Sequence, residues 1–492
     1  MSNVVIKVQI TNNGVFSEDS VSHKTYSYTD LWTFKAYLSQ RLKELDRATD
    51  EVIVLQSGHP LELSLTIAAL FLHEQAFCVV DPHLTATDVQ RLAKRYQLGM
   101  IWDEYAISEE ITQAFHQPFA SQEGSSSISL GYKSEVFGYL FTSGSTGEPS
   151  LIPLRYSQLK AATENSHQFI ALGRAQIWGL PLGFHHIGSL SAFLKSLLSG
   201  GGVSLSQGAN YELWNRWISE DTTCRIISMV PTQLHKWLHH NSTNDITITP
   251  TQHFGYILLG GGPSNPLDVQ EAKDLGWPVM LSYGMTETFA HISKVKAYQL
   301  DLSLYTDVPN PVPVGHLDSQ HSLALRFDGQ ERIVWLKGPQ IMGPDARCPE
   351  LVNRFDEQGW FCTGDIGELD SQGRLIIHAR RSDRIVSGGE NVSPIRVQQT
   401  LLKHPFIFDA HIVGIPDKNW GQKVVAILQL SDEQQDVVSA DPNHLHSVFI
   451  DYCKNELPPS HVPKNIHFVA SIPRTTLGKI KWVELQKILD SR

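Results

Sequence analysis

The chain is poor in several things, and each scarcity closes off a class of function. Cysteine is rare, with five in 492 residues: Cys78, Cys224, Cys348, Cys362 and Cys453. They are scattered, odd in number and never spaced CxxC, which argues against a disulfide framework or a zinc knuckle and fits free thiols in a reducing compartment. Positive charge is outnumbered, 40 Lys and Arg against 51 Asp and Glu, for a formal net charge of -11. That argues against a nucleic-acid partner held by a broad basic surface and leaves room for a local phosphate pocket. Long apolar runs are missing; the best, near Leu65–Leu72, is far short of a membrane span. The start, Met1 to Ile10, lacks the basic stretch and apolar core of a signal peptide. No repeat or low-complexity tract stands out beyond the loop-like Gly124–Ser129. The expectation is a cytoplasmic protein with no membrane and no nucleic-acid partner.

What is present is a globular composition, 41% hydrophobic and 18% charged, in a chain long enough for two or more domains. Short β-type runs alternate with helical patterns. Val52–Leu55, Phe77–Val80, Ile226–Met229, Tyr256–Leu259 and Val279–Leu281 read as strands; Pro60–Leu72 and about Thr232 to His239 read as helices. That alternation predicts an α/β fold with mostly parallel sheets and ligand sites beyond the strands' C-terminal ends. After the stiff Pro309–Pro313, the runs Leu323–Phe327, Ile333–Leu336 and Leu375–His378 look like hairpins, giving a β-rich subdomain over about 310–380. A polar break at Arg380–Asp383 sets the main boundary. The expected domains are residues 1–380 and a small α+β C-terminal domain over 381–492.

The first chemical signal is Phe141-Thr-Ser-Gly-Ser-Thr-Gly-Glu-Pro149, after the β-like Val136–Leu140. Its glycines allow a tight turn and close approach, and its hydroxyls and backbone N–H groups suit phosphate oxygens. GxxxxGK[ST] is absent, so this is not the P-loop of nucleoside triphosphatases. Alone, it reads equally well as a Ser/Gly turn. Five more segments are as modest singly. Leu258-Leu-Gly-Gly-Gly-Pro263 and Ser282-Tyr-Gly-Met-Thr-Glu287 look like turns at strand ends. Trp360-Phe-Cys-Thr-Gly-Asp-Ile-Gly-Glu368 holds an Asp in a Gly-containing turn. His378–Pro394 looks like a charged linker, a Gly turn and a helix start, and Pro473-Arg-Thr-Thr-Leu-Gly-Lys-Ile480 like a solvated terminal lysine.

Their order gives them weight. Over residues 141–480 the series resembles the motifs of the acyl-adenylate-forming superfamily: acyl-CoA synthetases, adenylation domains of peptide synthetases, and luciferases. The resemblance implies an enzyme with a mobile C-terminal domain, using ATP, Mg²⁺ and CoA. For ATP it implies Thr142, Ser143, Gly144, Ser145, Thr146 and Gly147 at the phosphates, and Gly261 and Gly262 lining the adenine and acyl pockets. Tyr283 is implied to stack on adenine, with Gly284 allowing close approach of the ligand beside Met285, and Thr286 to reach the α-phosphate. Glu287, with Thr146, would hold the metal. Asp365 would take both ribose hydroxyls, and Arg380 ribose or phosphate. Lys479 would bridge the acyl carboxylate and the α-phosphate. Ser382 and Asp383 share the hinge assignment, and Gly388-Gly389 would press against the thiol-bearing arm. One departure stands out: Ser150 occupies the place of the motif's lysine, so phosphate is held with one cation fewer.

Leu180-Pro-Leu-Gly-Phe-His-His-Ile-Gly-Ser-Leu-Ser191 is similar to a segment of o-succinylbenzoate–CoA ligases and related aryl-acid ligases, with His186 implied at the acyl pocket. Gly183 and the doubled His185-His186 depart from that pattern. The implied reaction is an acid–thiol ligation: a carboxylic acid, aryl by this branch, becomes acyl-AMP and then a thioester as the C-terminal domain swings. A carrier protein's phosphopantetheine is the alternative acceptor; with no carrier domain following where the chain stops at Arg492, such a carrier is expected as a separate partner. A homodimer is an admitted assembly, and a non-catalytic nucleotide-binding protein is the distant alternative.

Overall fold

Apolar runs alternating with helices build two open sheets here rather than one. A computed structural model describes residues 26, 28–45, 51–116, 135–142, 149–170, 176–206, 208–221, 223–306, 311–328, 331–431, 442–474 and 480–490. The helix Tyr28–Glu44 (α1) leads into the first sheet. Its strands are Ile53–Gln56 (β1), Phe77–Val79 (β2), Ile101–Asp103 (β3), Val136–Thr142 (β4) and Ser150–Arg155 (β5), in the order β3-β1-β2-β4-β5. The first four run parallel and β5 returns antiparallel along β4. Pro60–Leu72 (α2), Ala86–Arg95 (α3) and Glu104–His116 (α4) connect them. In α2, Pro60 sits in the first turn, where its missing N–H costs nothing, and every residue from Leu61 to Leu72 except Glu62 is buried. A helix apolar all round belongs inside the fold.

The second sheet holds Ile177–Leu180 (β6), Gly202–Leu205 (β7), Cys224–Met229 (β8), Tyr256–Leu259 (β9), Val279–Met285 (β10), Ala290–Lys296 (β11) and His316–Leu317 (β12). The order is β12-β11-β10-β9-β8-β6-β7, with β7 to β10 parallel and β11 and β12 antiparallel. Its helices are Tyr156–His167 (α5), Ile187–Leu198 (α6), Tyr211–Ser219 (α7), Pro231–Thr243 (α8) and Pro266–Asp274 (α9). Buried tryptophans fill the space beneath, each with its indole N–H satisfied. Trp178 donates to Ser228 at 2.8 Å, Trp217 to Ser204 at 3.0 Å and Trp237 to Asn215 at 2.7 Å.

After the short helix Ser303–Thr306 (α10) comes an antiparallel sheet. Its strands are Ser322–Asp328 (β13), Glu331–Lys337 (β14), Phe361–Leu369 (β15) and Leu375–Arg380 (β16). The last sheet combines Ile385–Ser387 (β17), Glu390–Val392 (β18), the long hairpin Ile407–Asp417 (β19) and Gly421–Leu430 (β20), and Asn465–Phe468 (β21). Pro394–Leu402 (α11) and Pro442–Glu456 (α12) share its core, and Trp482–Asp490 (α13) ends the described chain. Among the described residues no helix is long and apolar enough to cross a membrane.

Three segments that look like turns in the sequence lie in paired strands. β10 runs on past Leu281 through Tyr283-Gly284-Met285 because β11 folds back on it and supplies partners. Thr363-Gly364-Asp365 lies within β15, and Arg380 ends β16 directly across from Asp365. Strand pairing thus holds the motif side chains on rigid backbone.

Candidate active site

The parallel strands of the second sheet end along one edge, and the motifs follow those ends: Gly260–Gly262 after β9, and Thr286–Thr288 after β10. The antiparallel sheet brings β15 and β16 to the same place. Tyr283 donates its hydroxyl to Asp365 Oδ2 at 2.6 Å, and Arg380 Nε donates to Asp365 Oδ1 at 3.1 Å. Asp365 is 4% exposed. Burial pushes its carboxyl pKa upward, against the pull of Arg380 and the Tyr283 hydroxyl. Burial, then the Asp365 charge, holds the Tyr283 phenol well above its ordinary range, so it remains a donor. The Arg380 side chain is half exposed, leaving its outer face open to a ligand.

One turn further along, Glu287 is buried and its Oε1 receives Arg354 Nη1 at 2.6 Å. Arg354 was not legible as a site residue; it lies in the helical turn Pro349–Arg354, outside every motif. It also donates to the carbonyls of Cys362 and Thr363, tying Glu287 to the strand that carries Asp365. Gln158 and Met342 donate to the Glu287 carbonyl. The turn then passes through two left-handed residues that are not glycine, Phe289 at φ 50° and Ala290 at φ 74°. Strained backbone of this kind persists where the surroundings fix it.

Gly284 also has a packing reason, beside the expected ligand clearance. A Cβ there would lie 1.9 Å from the Ala290 carbonyl oxygen. The glycine lets this strained turn press onto β10. Gly284→Ala should therefore destabilise the fold by about 1–3 kcal/mol as an overpacking change, read as a lower unfolding midpoint without ligand. An unchanged midpoint would contradict the packing argument. Gly261 sits at φ 83°, whereas Gly262 has open space around it.

Thr142 ends β4 and pairs with Ser150 at the start of β5. Ser143, Gly144, Ser145, Thr146 and Gly147 lie outside the described residues. His186 caps the N-terminus of α6, with the His185 ring 3.8 Å from its own, centroid to centroid. The extra Gly183 makes room for that doubled histidine: a Cβ there would come within 2.6 Å of His185 Cε1.

Arg381–Asp383 forms one helical turn between β16 and β17, holding both hinge candidates, Ser382 and Asp383. Ion pairs flank it: Arg381 with Asp328, and Arg384 with Glu331 at 2.7 Å. Gly388 and Gly389, at φ 61° and 83°, form the two-residue turn joining β17 to β18. With Val386, Trp420 and Gly421 they line an open hollow. Lys479 lies outside the described residues, and its segment is anchored at Arg474, paired twice with Asp409 at 2.7 and 2.9 Å.

Glu287 suits a cation that arrives already bound to a nucleotide. Among the described residues no three His, Cys, Asp or Glu side chains converge. One buried carboxylate is what Mg²⁺ asks of a protein when phosphates and water fill its other positions.

Residues 11–343 match the family described as AMP-binding enzyme, and residues 396–479 match its C-terminal domain. The chain belongs to the AMP-binding enzyme family. Among curated AMP-binding relatives, a 2-succinylbenzoate–CoA ligase from Bacillus pumilus is 27% identical, covering 93% of this chain and 92% of the relative. One from Geobacillus kaustophilus is also 27% identical, covering 96% and 94%. The fold is that of solved AMP-binding enzymes. The o-succinylbenzoate CoA synthetase of Bacillus subtilis, in complex with its acyl-adenylate intermediate, superposes with TM-score 0.76 at 23% identity, over 94% of each chain. ATP-bound MatB from Rhodopseudomonas palustris gives 0.77 at 17%, over 98% of this chain and 96% of its own.

Proposed function

We propose that this AMP-binding enzyme activates a carboxylic acid with ATP as an acyl-adenylate and then transfers the acyl group to CoA. The observation that carries this is the convergence of Tyr283, Asp365, Arg380 and Glu287 at the C-terminal edge of the second sheet. Asp365, held by two donors, presents a fixed carboxylate to the ribose hydroxyls, and the open face of Arg380 meets ribose or phosphate. Thr286 donates to the α-phosphate, and the 143–147 loop takes the outer phosphates. A Mg²⁺ at Glu287 would neutralise phosphate charge.

The acid's carboxylate attacks the α-phosphorus and pyrophosphate leaves, with Lys479 meeting the charge that develops. The CoA thiol then attacks the acyl carbon and AMP leaves. We divide the chain into residues 1–380 and 381–492, with the β-rich part over about 310–380. The turn holding Ser382 and Asp383 is the pivot, and Gly388-Gly389 supplies the smooth surface for the pantetheine arm. The 27% relatives favour an aryl acid of the 2-succinylbenzoate type.

The test is pyrophosphate release over a panel of aryl, succinylaryl and aliphatic acids, with CoA or a carrier protein added. The expected result is acid-dependent release with an aryl or succinylaryl acid and an acyl-CoA product. Thioester on the carrier but none on CoA would replace the acceptor. ATP binding with no acid-dependent release would overturn the enzyme reading.

A further inference from the structure

α8 carries His235 and His239 four residues apart, so both rings stand on one face of the helix. Phe408, from the C-terminal domain, fits against both. Its ring centre lies 4.9 Å from that of His235, tilted by 49°, and 4.9 Å from that of His239, nearer edge-on at 61°. Aromatic pairs favour offset and edge contacts at this spacing. His235 is itself held: its Nδ1 meets Asp268 Oδ1 on α9 at 3.0 Å. Burial works against a charged ring there, but Asp268 and then Asp409, the residue after Phe408, outweigh it and shift the His235 pKa upward. That favours a cation against the aromatic ring, a further attraction.

The strand that carries Phe408 also aims it. In β19, Ile407 pairs with Leu430 and Asp409 with Gln429 of β20, which leaves Phe408 as the extra residue of a bulge. A bulge re-aims a side chain. Ile407 and Ala410 keep to the C-terminal core, while Phe408 turns out to α8. The next residue, Asp409, is the one that Arg474 grips. The seat of Phe408 and the anchor of the segment leading to Lys479 are thus neighbours on one strand. The other functional turn faces elsewhere. Every residue lining the hollow at Gly388-Gly389 belongs to the C-terminal domain. A pantetheine arm reaching an acyl group at the second sheet would need the N-terminal domain on its other side. The contact at Phe408 therefore accompanies an arrangement that does not transfer to CoA.

We propose that Phe408, seated against His235 and His239, is a positioning residue that holds the C-terminal domain in the arrangement for the first half-reaction. Acyl transfer requires this seat to be left. The proposal rests on the adenylation reading above and adds to it the contact that sets which half-reaction the enzyme is arranged for.

The experiment measures the two half-reactions separately, with the acid of the panel above that the native enzyme turns over fastest. One assay follows pyrophosphate release from acid and ATP; the other follows thioester formation from chemically prepared acyl-adenylate and CoA. Phe408→Ala should slow the first by about 3–10-fold, the scale of one aromatic pair, and leave the second at the native rate or faster. Phe408→Tyr, which keeps a ring, should restore the first. Adding His239→Ala to Phe408→Ala should cost little more than Phe408→Ala alone, as for partners in one contact. Phe408 is half-buried and His239 exposed, so neither substitution opens the core. Loss of both half-reactions in proportion would make Phe408 structural and overturn the proposal. So would no change in either, or a loss confined to thioester formation. These outcomes leave the adenylation reading standing; no pyrophosphate from the native enzyme with any acid would overturn that reading and this proposal with it.

Discussion

Replacing Lys479 by alanine should cut acid-dependent pyrophosphate release by about 10²–10³-fold, the scale of losing one preorganised donor to transition-state charge. The same variant should still convert chemically prepared acyl-adenylate and CoA into thioester at close to the native rate. The asymmetry follows from the chemistry. Attack of a carboxylate on an α-phosphate brings negative groups together, so a cation between them matters; thiol attack on the finished mixed anhydride makes no such demand. The segment also has a local anchor. Arg474 grips Asp409 through two nitrogens, and Arg474 bridges to Ile480, so both ends of the stretch that carries Lys479 are fixed to the C-terminal sheet. Equal loss in both half-reactions would mean that Lys479 does not act on the first step.

The second large effect falls on ATP binding. Asp365→Ala should raise the KM for ATP by about 10²-fold, since two hydrogen bonds to a charged acceptor contribute about 3 kcal/mol or more together. The unfolding midpoint without nucleotide should move far less. Arg380 is half exposed and rehydrates, while Tyr283 keeps its ring buried and loses one acceptor. Deoxy-ATP separates this account from general damage. The native enzyme should bind it about tenfold more weakly than ATP, whereas Asp365→Ala should hardly distinguish the two, as expected for partners in one interaction. If the variant discriminated as strongly as the native enzyme, another group would hold the ribose.

The α/β fold was legible because its strands are short, apolar and alternate with helical stretches: Pro60–Leu72, opened by proline in its first turn, and Tyr256–Leu259 stand in the structure as they read in the sequence. Where the reading stopped short, long-range pairing was the reason. Tyr283-Gly284-Met285 looks like a turn because glycine usually punctuates strands, yet β11 closes onto it. Gly284 looked like room for a ligand, and the structure adds a packing demand that the sequence does not show, the close approach of the Ala290 carbonyl. Arg354 left no signal, since its partner Glu287 is 67 residues away and its own turn carries no motif.

The central claim is that the acid's own oxygen attacks the α-phosphorus, and it can be followed directly. The acid is labelled with heavy oxygen in its carboxylate, turned over with ATP and CoA, and the AMP is weighed by mass spectrometry. One heavy oxygen should appear in AMP for each thioester formed. Label in inorganic phosphate, with ADP as the nucleotide product, would mean an acyl-phosphate route and contradict the assignment of Thr286 and Lys479 to the α-phosphate.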